Sequence, residues 1–574
     1  MNGNTTSYYE QYFNPCVRIP PAAIARFVAV WFISGASSSI AAKGERAGRR
    51  LGLWAEKSVN SEGRGQDKTV NSEFRDKEKR NEERNKEKRR KERKRNAHKI
   101  LQKTLVSPYR SQTPPPPPPP LRRLHILPSL PPPPHSSSHH HRHILLSLGR
   151  RASPPPPPLT QILFSIAGSS SSYPLRTPYL NLWYKPNSTN AVVFLDNPTP
   201  DRSLPGPPIF VSSDTARFPY TFPSGKRSAI RVARIVRDTL DLELNSDFDF
   251  SGIRWFVFGD DDTVFFPDNV ARILSKYVDR RWYYIGCHSE SYEQNAKHSF
   301  DMAFGGGGFA ISAPLARVLA RVMDSCLFRY PHLYGSDGRI FACLAELGVG
   351  LTRELGFHQV DVRGDIFGIL SAHPLSLAAS LHHLDKVDPI FPNMSRVQAM
   401  EHLFKAVRAD SARIFQQSVC YDRSSSLTIS VSWGYSVQVY QGDVLLPDLL
   451  RSPRTFRPWR GKKVSSSHYY MFNARDFPGG DPCEMPVIFY FHDVLSETNG
   501  SWTSYVRHNN VWNCERNSAI KELVHVKIFS GRSSFEVGQE APRRCCCDIS
   551  SPANETLVIG LRDCGEDELI GMHA

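Results

Sequence analysis

From about residue 159 onward, the chain alternates short, wholly apolar runs with longer amphipathic ones. QILFSIAG (161–168), AVVFLD (191–196), IFVSSD (209–214) and IRWFVF (253–258) each end in small, polar or acidic residues and read as buried strands. LRTPYLNLWY (175–184) reads as a short helix. RSAIRVARIVRDTL (227–240) is amphipathic, with Ile230, Ala233, Ile235 and Val236 on one side and arginines on another. Asp268 is placed to cap a helix over 269–280, striped by Val270, Ile273, Leu274, Tyr277 and Val278. Another helix, led by Ser312 and Pro314, follows FGGGGF (304–309). YGSDGRIFACLAEL (334–347) is opened by Ser336 or Asp337 and striped by Ile340, Phe341, Leu344 and Leu347. Strands alternating with helices predict an α/β sheet domain. Beyond Asp410 the apolar period shortens to two. LTISVSWGYSVQVY (427–440) alternates as a strand should, PVIFYFHDV and HVKIFSG follow, and a β-rich C-terminal extension is expected.

The first 158 residues show neither period. Residues 75–95 form a mixed-charge block with no apolar face to dock, which predicts a solvated helix or disorder; a basic nucleic-acid or localisation patch is the competing reading. Proline runs at 113–120, 131–134 and 154–158 predict extended linkers or ligands for SH3-type domains. The expected organisation is a low-complexity region at 1–158, a sheet domain at 159–460 and an extension at 461–574. Residues 22–42 are the one candidate signal or anchor, but Arg26 and a Ser/Gly-rich second half leave the segment short of a full span.

Charge follows the same division. Residues 1–158 hold 30 Lys/Arg against 12 Asp/Glu, and 159–574 hold the other 42 against 44. The net +16 therefore belongs to the N-terminal region, and the remainder has no electrostatic footprint for nucleic acid. Ten of the 11 cysteines lie between Cys287 and Cys564, with no CxxC pair. Sequons stand at Asn4, Asn187, Asn393, Asn499 and Asn554. Together these features suit an oxidising secretory lumen; the alternative is a reduced cytosolic protein with incidental sequons.

The chemistry concentrates in FVFGDDDTVFF (256–266). Three adjacent carboxylates between apolar arms are costly unless a cation joins them. Alternation along an extended backbone puts Asp260 and Asp262 on one side and Asp261 on the other. Oxygen donors suit Mn²⁺ or Mg²⁺, whereas the plainer reading is a solvent-exposed acidic turn. The four glycines of FGGGGF let backbone approach a ligand closely, and no Lys-Ser/Thr follows to make a phosphate-binding loop. Asp337 is a helix cap or a reacting carboxylate, and LHHLD (381–385) offers histidines as metal ligands, with His358 and His373 upstream.

In order, GDDDTVFF, GGGGFAIS, YGSDGRI, GFHQVD, SLHHLD, PIFPN and LTISVSWGY resemble the Fringe-like β1,3-glycosyltransferases. The resemblance is strongest to their plant branch, long labelled a domain of unknown function. It covers roughly residues 160–460, over half of the chain. It implies a GT-A fold, a UDP-sugar donor, Mn²⁺ or Mg²⁺, and a glycan, protein or small-molecule acceptor, in the Golgi or another secretory lumen as a type II membrane protein. By motif, Asp260 and Asp262 would be the D-x-D pair and His383 the third metal ligand. Asp337 would be the catalytic base. Asp196, Arg231 and Asp261 would lie near the nucleotide, and Gly306 and Gly307 against the sugar. The expected reaction is an inverting transfer in which Asp337 takes the acceptor proton. The competing readings are an inactive domain within a polyproline and basic scaffold, and a metal-dependent phosphotransferase or nuclease.

Overall fold

The computed structural model describes residues 156–198, 205–245, 248–460, 469–477, 482–508, 518–531, 543–553 and 555–571. All fall within the compact unit His141–Ala574. The candidate anchor at 22–42, the charged block and the proline runs up to residue 155 lie outside the described residues.

A seven-stranded sheet carries the first half. Its strands are β1 (Ile162–Ala167), β2 (Asn190–Leu195), β3 (Ile209–Val211), β4 (Trp255–Asp260), β6 (Tyr284–Gly286), β7 (Phe309–Ser312) and β8 (Leu351–Arg353), ordered β3-β2-β1-β4-β7-β6-β8. The first four run parallel, with Ala167 opposite Asp260 and Ile166 opposite Gly259, so the C-terminal ends of β1, β2 and β4 open on one edge. β7 runs antiparallel to β4 and β6. Strand alternation feeds two cores. Ile162, Phe164 and Ile166 face one, and Leu163 and Ala167 the other.

The second core is closed by α2 (Ser228–Asn245), α4 (Ala313–Arg329) and α5 (Asp337–Glu346), with Cys326 and Cys343 joining the last two through a disulfide. On the first core lie α1 (Tyr173–Trp183), α3 (Pro267–Leu274) and α6 (Arg396–Ala409). A small sheet of β5 (Val264–Phe265), β11 (Ser380–Leu381) and β9 (Phe357–His358) folds the acidic turn and the histidine segment onto each other. β10 (Val362–Gly364) pairs with Phe456–Pro458.

The C-terminal β-rich region is an eight-stranded sheet. β12 (Gln417–Asp422), β13 (Leu427–Ser432) and β14 (Ser436–Gln441) lead into Val487–Glu497, Gly500–Arg507, His525–Gly531, Thr556–Arg562 and Cys546–Ala553. This sheet draws strands from both sides of residue 460. A mixed α/β fold with a β-rich C-terminal region is what the periodicities predict.

Several local expectations differ from the fold. The alternating stretch 427–440 is two strands, turned back at Trp433–Tyr435 by Gly434 at φ +73°. Helix α3 stops at Leu274, six residues before the end its stripe suggests, because Lys276 and Tyr277 are drawn to Glu354 at 2.7 Å and at shorter range respectively. Pro267 supplies the first turn of α3, so Asp268 sits inside that turn instead of capping it. β7 stands between the glycine run and α4. β3 is a half-exposed edge, with Val211 50% exposed, and is not a buried strand.

Candidate active site

β4 ends at Asp260 in the open edge of the sheet, and the next three residues turn tightly. The Thr263 hydroxyl accepts from the Asp260 N–H at 2.9 Å and donates to Gly306 O at 2.8 Å. That turn sends Asp260 and Asp262 one way and Asp261 another. Asp261 is buried against Arg176 and accepts from Ser172 Oγ at 2.9 Å and the Ser169 N–H at 3.4 Å. Arg176 also reaches Asp262 at 3.0 Å and Asp385 at 3.6 Å. It stands on α1, directly after β1, where the helix start faces the sheet's C-terminal edge.

His382, one residue past β11, faces the carboxylates. Its Nε2 lies 3.1 Å from Asp262 and 3.8 Å from Asp260. Its Nδ1 sits 3.3 Å from Gln359 O, a carbonyl that can only accept, which orients the ring with Nε2 toward the cluster. Donor atoms of Asp260, Asp262 and His382 all lie within 4.8 Å of one another. A second grouping among the described residues, Cys546, Cys564 and Glu568, contains a disulfide and so lacks thiolates to offer.

His383 takes a different place. It stacks on Trp459 at 4.5 Å between ring centroids and puts Nδ1 3.2 Å from Asp361, with its backbone at φ +55°. The structure thus brings together Asp260, Asp262 and His382, and sets His383 behind His382 with their ring centroids 3.9 Å apart. His358 and His373 bond to each other at 2.9 Å, with His358 also 3.2 Å from Glu290.

The glycine run holds the next layer. A Cβ on Gly305 would lie 2.6 Å from Asp337 Oδ1, one on Gly306 2.1 Å from the His382 ring, and one on Gly307 3.0 Å from the Gln359 backbone. Gly306 and Gly307 therefore pack on protein atoms, bringing Asp337 and His382 to two sides of one buried turn. Asp337 begins α5 and accepts from Ser336 Oγ at 3.0 Å and from the Gly305 N–H.

The electrostatics follow from this crowding. Desolvation, with Asp262, Asp337 and Asp261 nearby, pushes Asp260 up to about 7 against the pull of His382. Burial works to raise Asp262, but His382 and Arg176 outweigh it and hold that carboxyl below its ordinary range. Burial works to lower His382, but Asp262 and Asp260 carry it up to about 9. Burial raises Asp337 above the ordinary carboxylate range. Two carboxylates and an imidazole nitrogen aimed at the same point, the ring oriented by a backbone carbonyl at its other nitrogen, form a donor set that fits Mn²⁺ or Mg²⁺ once the ring gives up its Nε2 proton.

Asp196, just past β2, accepts from the Ser170 N–H at 2.8 Å and Ser169 Oγ at 3.4 Å. The little burial it has works to raise it, but these donors and Arg231 bring it below the usual range. Arg231, on α2, donates to Gly168 O at 2.8 Å and feels the charges of Asp196, Asp260 and Asp261. Both stand on the open edge of the sheet beside the acidic turn. Sequence reasoning passed over Arg176 and Gln359 and, within LHHLD, chose His383 over His382. The pair of histidines in LHHLD was visible, but which ring faces the aspartates depends on the end of β11.

Residues 294–547 match a family model described as a protein of unknown function, DUF604. No curated protein matches. Among solved structures, the chain is similar to a glycosyltransferase involved in the glycosylation of the major capsid of PBCV-1. The two are 12% identical, with 42% of this chain and 99% of that one covered and a TM-score of 0.22. It is also similar to an active-site mutant of LgtC, at 11% identity, 42% and 94% coverage and a TM-score of 0.25. Likeness of that size carries no functional argument, which rests on the site itself.

Proposed function

We propose that the chain is a metal-dependent inverting glycosyltransferase of GT-A type, related to the Fringe-like β1,3 enzymes, that moves a sugar from a UDP-sugar to an acceptor hydroxyl. The observation that carries this reading is the meeting of Asp260, Asp262 and His382 within 4.8 Å at the sheet's C-terminal edge, with Asp337 on the far side of the glycine turn. Open α/β sheets bind ligands at that edge.

Asp260, Asp262 and His382 would hold Mn²⁺ or Mg²⁺. Such an ion, when bound, neutralises the negative charge that develops on a departing diphosphate. The chain's own residues do the rest. Arg176 ties Asp261, Asp262 and Asp385 together and fixes the carboxylate geometry. Asp196 and Arg231 line the nucleotide side of the edge. Asp337, raised by burial, is a better proton acceptor than a solvated carboxylate and takes the proton from the attacking hydroxyl, an effect worth about 10²–10⁴-fold. Attack from that side, opposite the leaving diphosphate, inverts the anomeric carbon. A lumenal site of action in the secretory pathway belongs to the same proposal.

The test is a donor screen. Purified full-length chain with Mn²⁺ and a panel of UDP-sugars should release UDP from one of them faster in the presence of a hydroxyl acceptor. Release from none, with the chain folded by circular dichroism, would overturn the reading.

A further inference from the structure

Three of the five sequons fall wholly on described residues, and each puts its asparagine on an exposed turn. Asn187 and Asn393 stand in left-handed backbone at φ +64° and +61°, and Asn499 is at the tip of the hairpin between Val487–Glu497 and Gly500–Arg507. Asn187 stands at the opposite end of β2 from the acidic turn. Asn187 precedes the start of β2, whereas Asp196 follows its end, so a strand of roughly 20 Å separates them. Asn393 leads into α6, and Asn499 belongs to the C-terminal sheet.

Of the hydroxyl residues two positions on, two are buried and the third is exposed but engaged as a helix cap. Thr189 is 5% exposed, and its Oγ1 has no hydrogen-bond partner among the described residues. Ser501 is 6% exposed and lies 3.3 Å from Ser530 Oγ. Ser395 is the N-cap of α6, accepting from the Gln398 N–H at 3.3 Å in a reciprocal capping box. The folded protein therefore presents the amides while its own structure holds the hydroxyls that the sequon requires. A second observation fits an oxidising compartment: disulfides join Cys326 to Cys343, Cys420 to Cys547 and Cys546 to Cys564.

We propose that Asn187, Asn393 and Asn499 carry N-linked oligosaccharides, attached before these segments fold. The co-reactant is a lipid-pyrophosphate-linked oligosaccharide. The carboxamide nitrogen forms a C–N bond at the anomeric carbon, and the C–O bond to the pyrophosphate breaks. The lipid pyrophosphate departs with that electron pair, and the amide proton passes to the transferase's base. The glycans then stand on exposed turns. This proposal does not depend on the activity proposed above.

The test expresses the full chain in a eukaryotic secretory host. The protein is digested with an amidase that converts glycosylated Asn to Asp in ¹⁸O-water, and its peptides are mapped by mass spectrometry. The label should appear at two or all three of positions 187, 393 and 499. Asn→Gln at each labelled position should remove one step from the gel-mobility ladder. In a second arm, folded, unglycosylated chain meets solubilised oligosaccharyl transferase and its lipid-linked donor. It should remain unmodified at Asn187 and Asn499, whereas reduced and unfolded chain is modified. Label at one site or none overturns the proposal. Equal modification of folded and unfolded chain overturns the ordering.

Discussion

Gln359 O orients the His382 ring so that Nε2 faces the aspartates, the position from which it would join them on a metal ion. His383 is engaged differently, its ring held between His382 and Trp459 with Asp361 at its Nδ1. Two variants separate the adjacent histidines. His382→Ala should weaken Mn²⁺ binding by about tenfold or more, and His383→Ala should weaken it much less, both read by isothermal titration. The reverse order would make His383 the ligand. At Asp337 the prediction concerns rate. Asp337→Asn keeps an acceptor for the Gly305 N–H and the Ser336 hydroxyl but loses the proton acceptor. Turnover should fall by about two orders of magnitude, with donor affinity within a few-fold and an unchanged melting curve. Near-normal turnover would make Asp337 a purely structural residue. The sequence shows these residue types clearly. It does not show Arg176's three partners, because Asp261, Asp262 and Asp385 meet it only through α1 packing on the sheet edge.

At the scale of elements, the glycine run is the hinge of the account. Its four residues were legible as a place of close approach, but what approaches comes from elsewhere in the chain: Asp337 from α5, His382 from the end of β11 and the backbone between His358 and Gln359. Gly306→Ala would drive a methyl group into the His382 ring. It should cost about 1–3 kcal/mol of stability and abolish the difference in Mn²⁺ affinity between His382→Ala and its parent. Retention of full metal affinity in Gly306→Ala would show that the ring is free to move away. β1, β2 and β4 were readable because each is a continuous apolar run buried on both faces. The end of α3 and the turn at Gly434 were not. The first depends on Glu354, 77 residues beyond Tyr277, and the second on one positive φ inside an unbroken alternation.

Across the whole molecule, the eight-stranded sheet joins β12–β14 to strands beyond residue 487, and the Cys420–Cys547 disulfide fastens one edge strand to the other end of the chain, 127 residues away. Nothing local in the sequence specifies such pairings, which explains why the region past Asp410 was legible as β-rich but not as one sheet. Opening that loop should be felt globally. Cys420→Ser with Cys547→Ser should lower unfolding free energy by about 2–5 kcal/mol, measured by denaturant titration; an unchanged midpoint would mean that the sheet holds without the bridge. Among the described residues no helix is long and apolar enough to cross a membrane. The central claim is that the β4-end carboxylates bind a nucleotide through a divalent ion. It is tested most directly by calorimetric titration of UDP into the full-length chain and its Asp262→Asn variant, each with and without Mn²⁺. Mn²⁺-dependent UDP binding is expected in the parent and lost in Asp262→Asn at an unchanged melting temperature. UDP binding that is the same in both proteins, or indifferent to Mn²⁺, would contradict it.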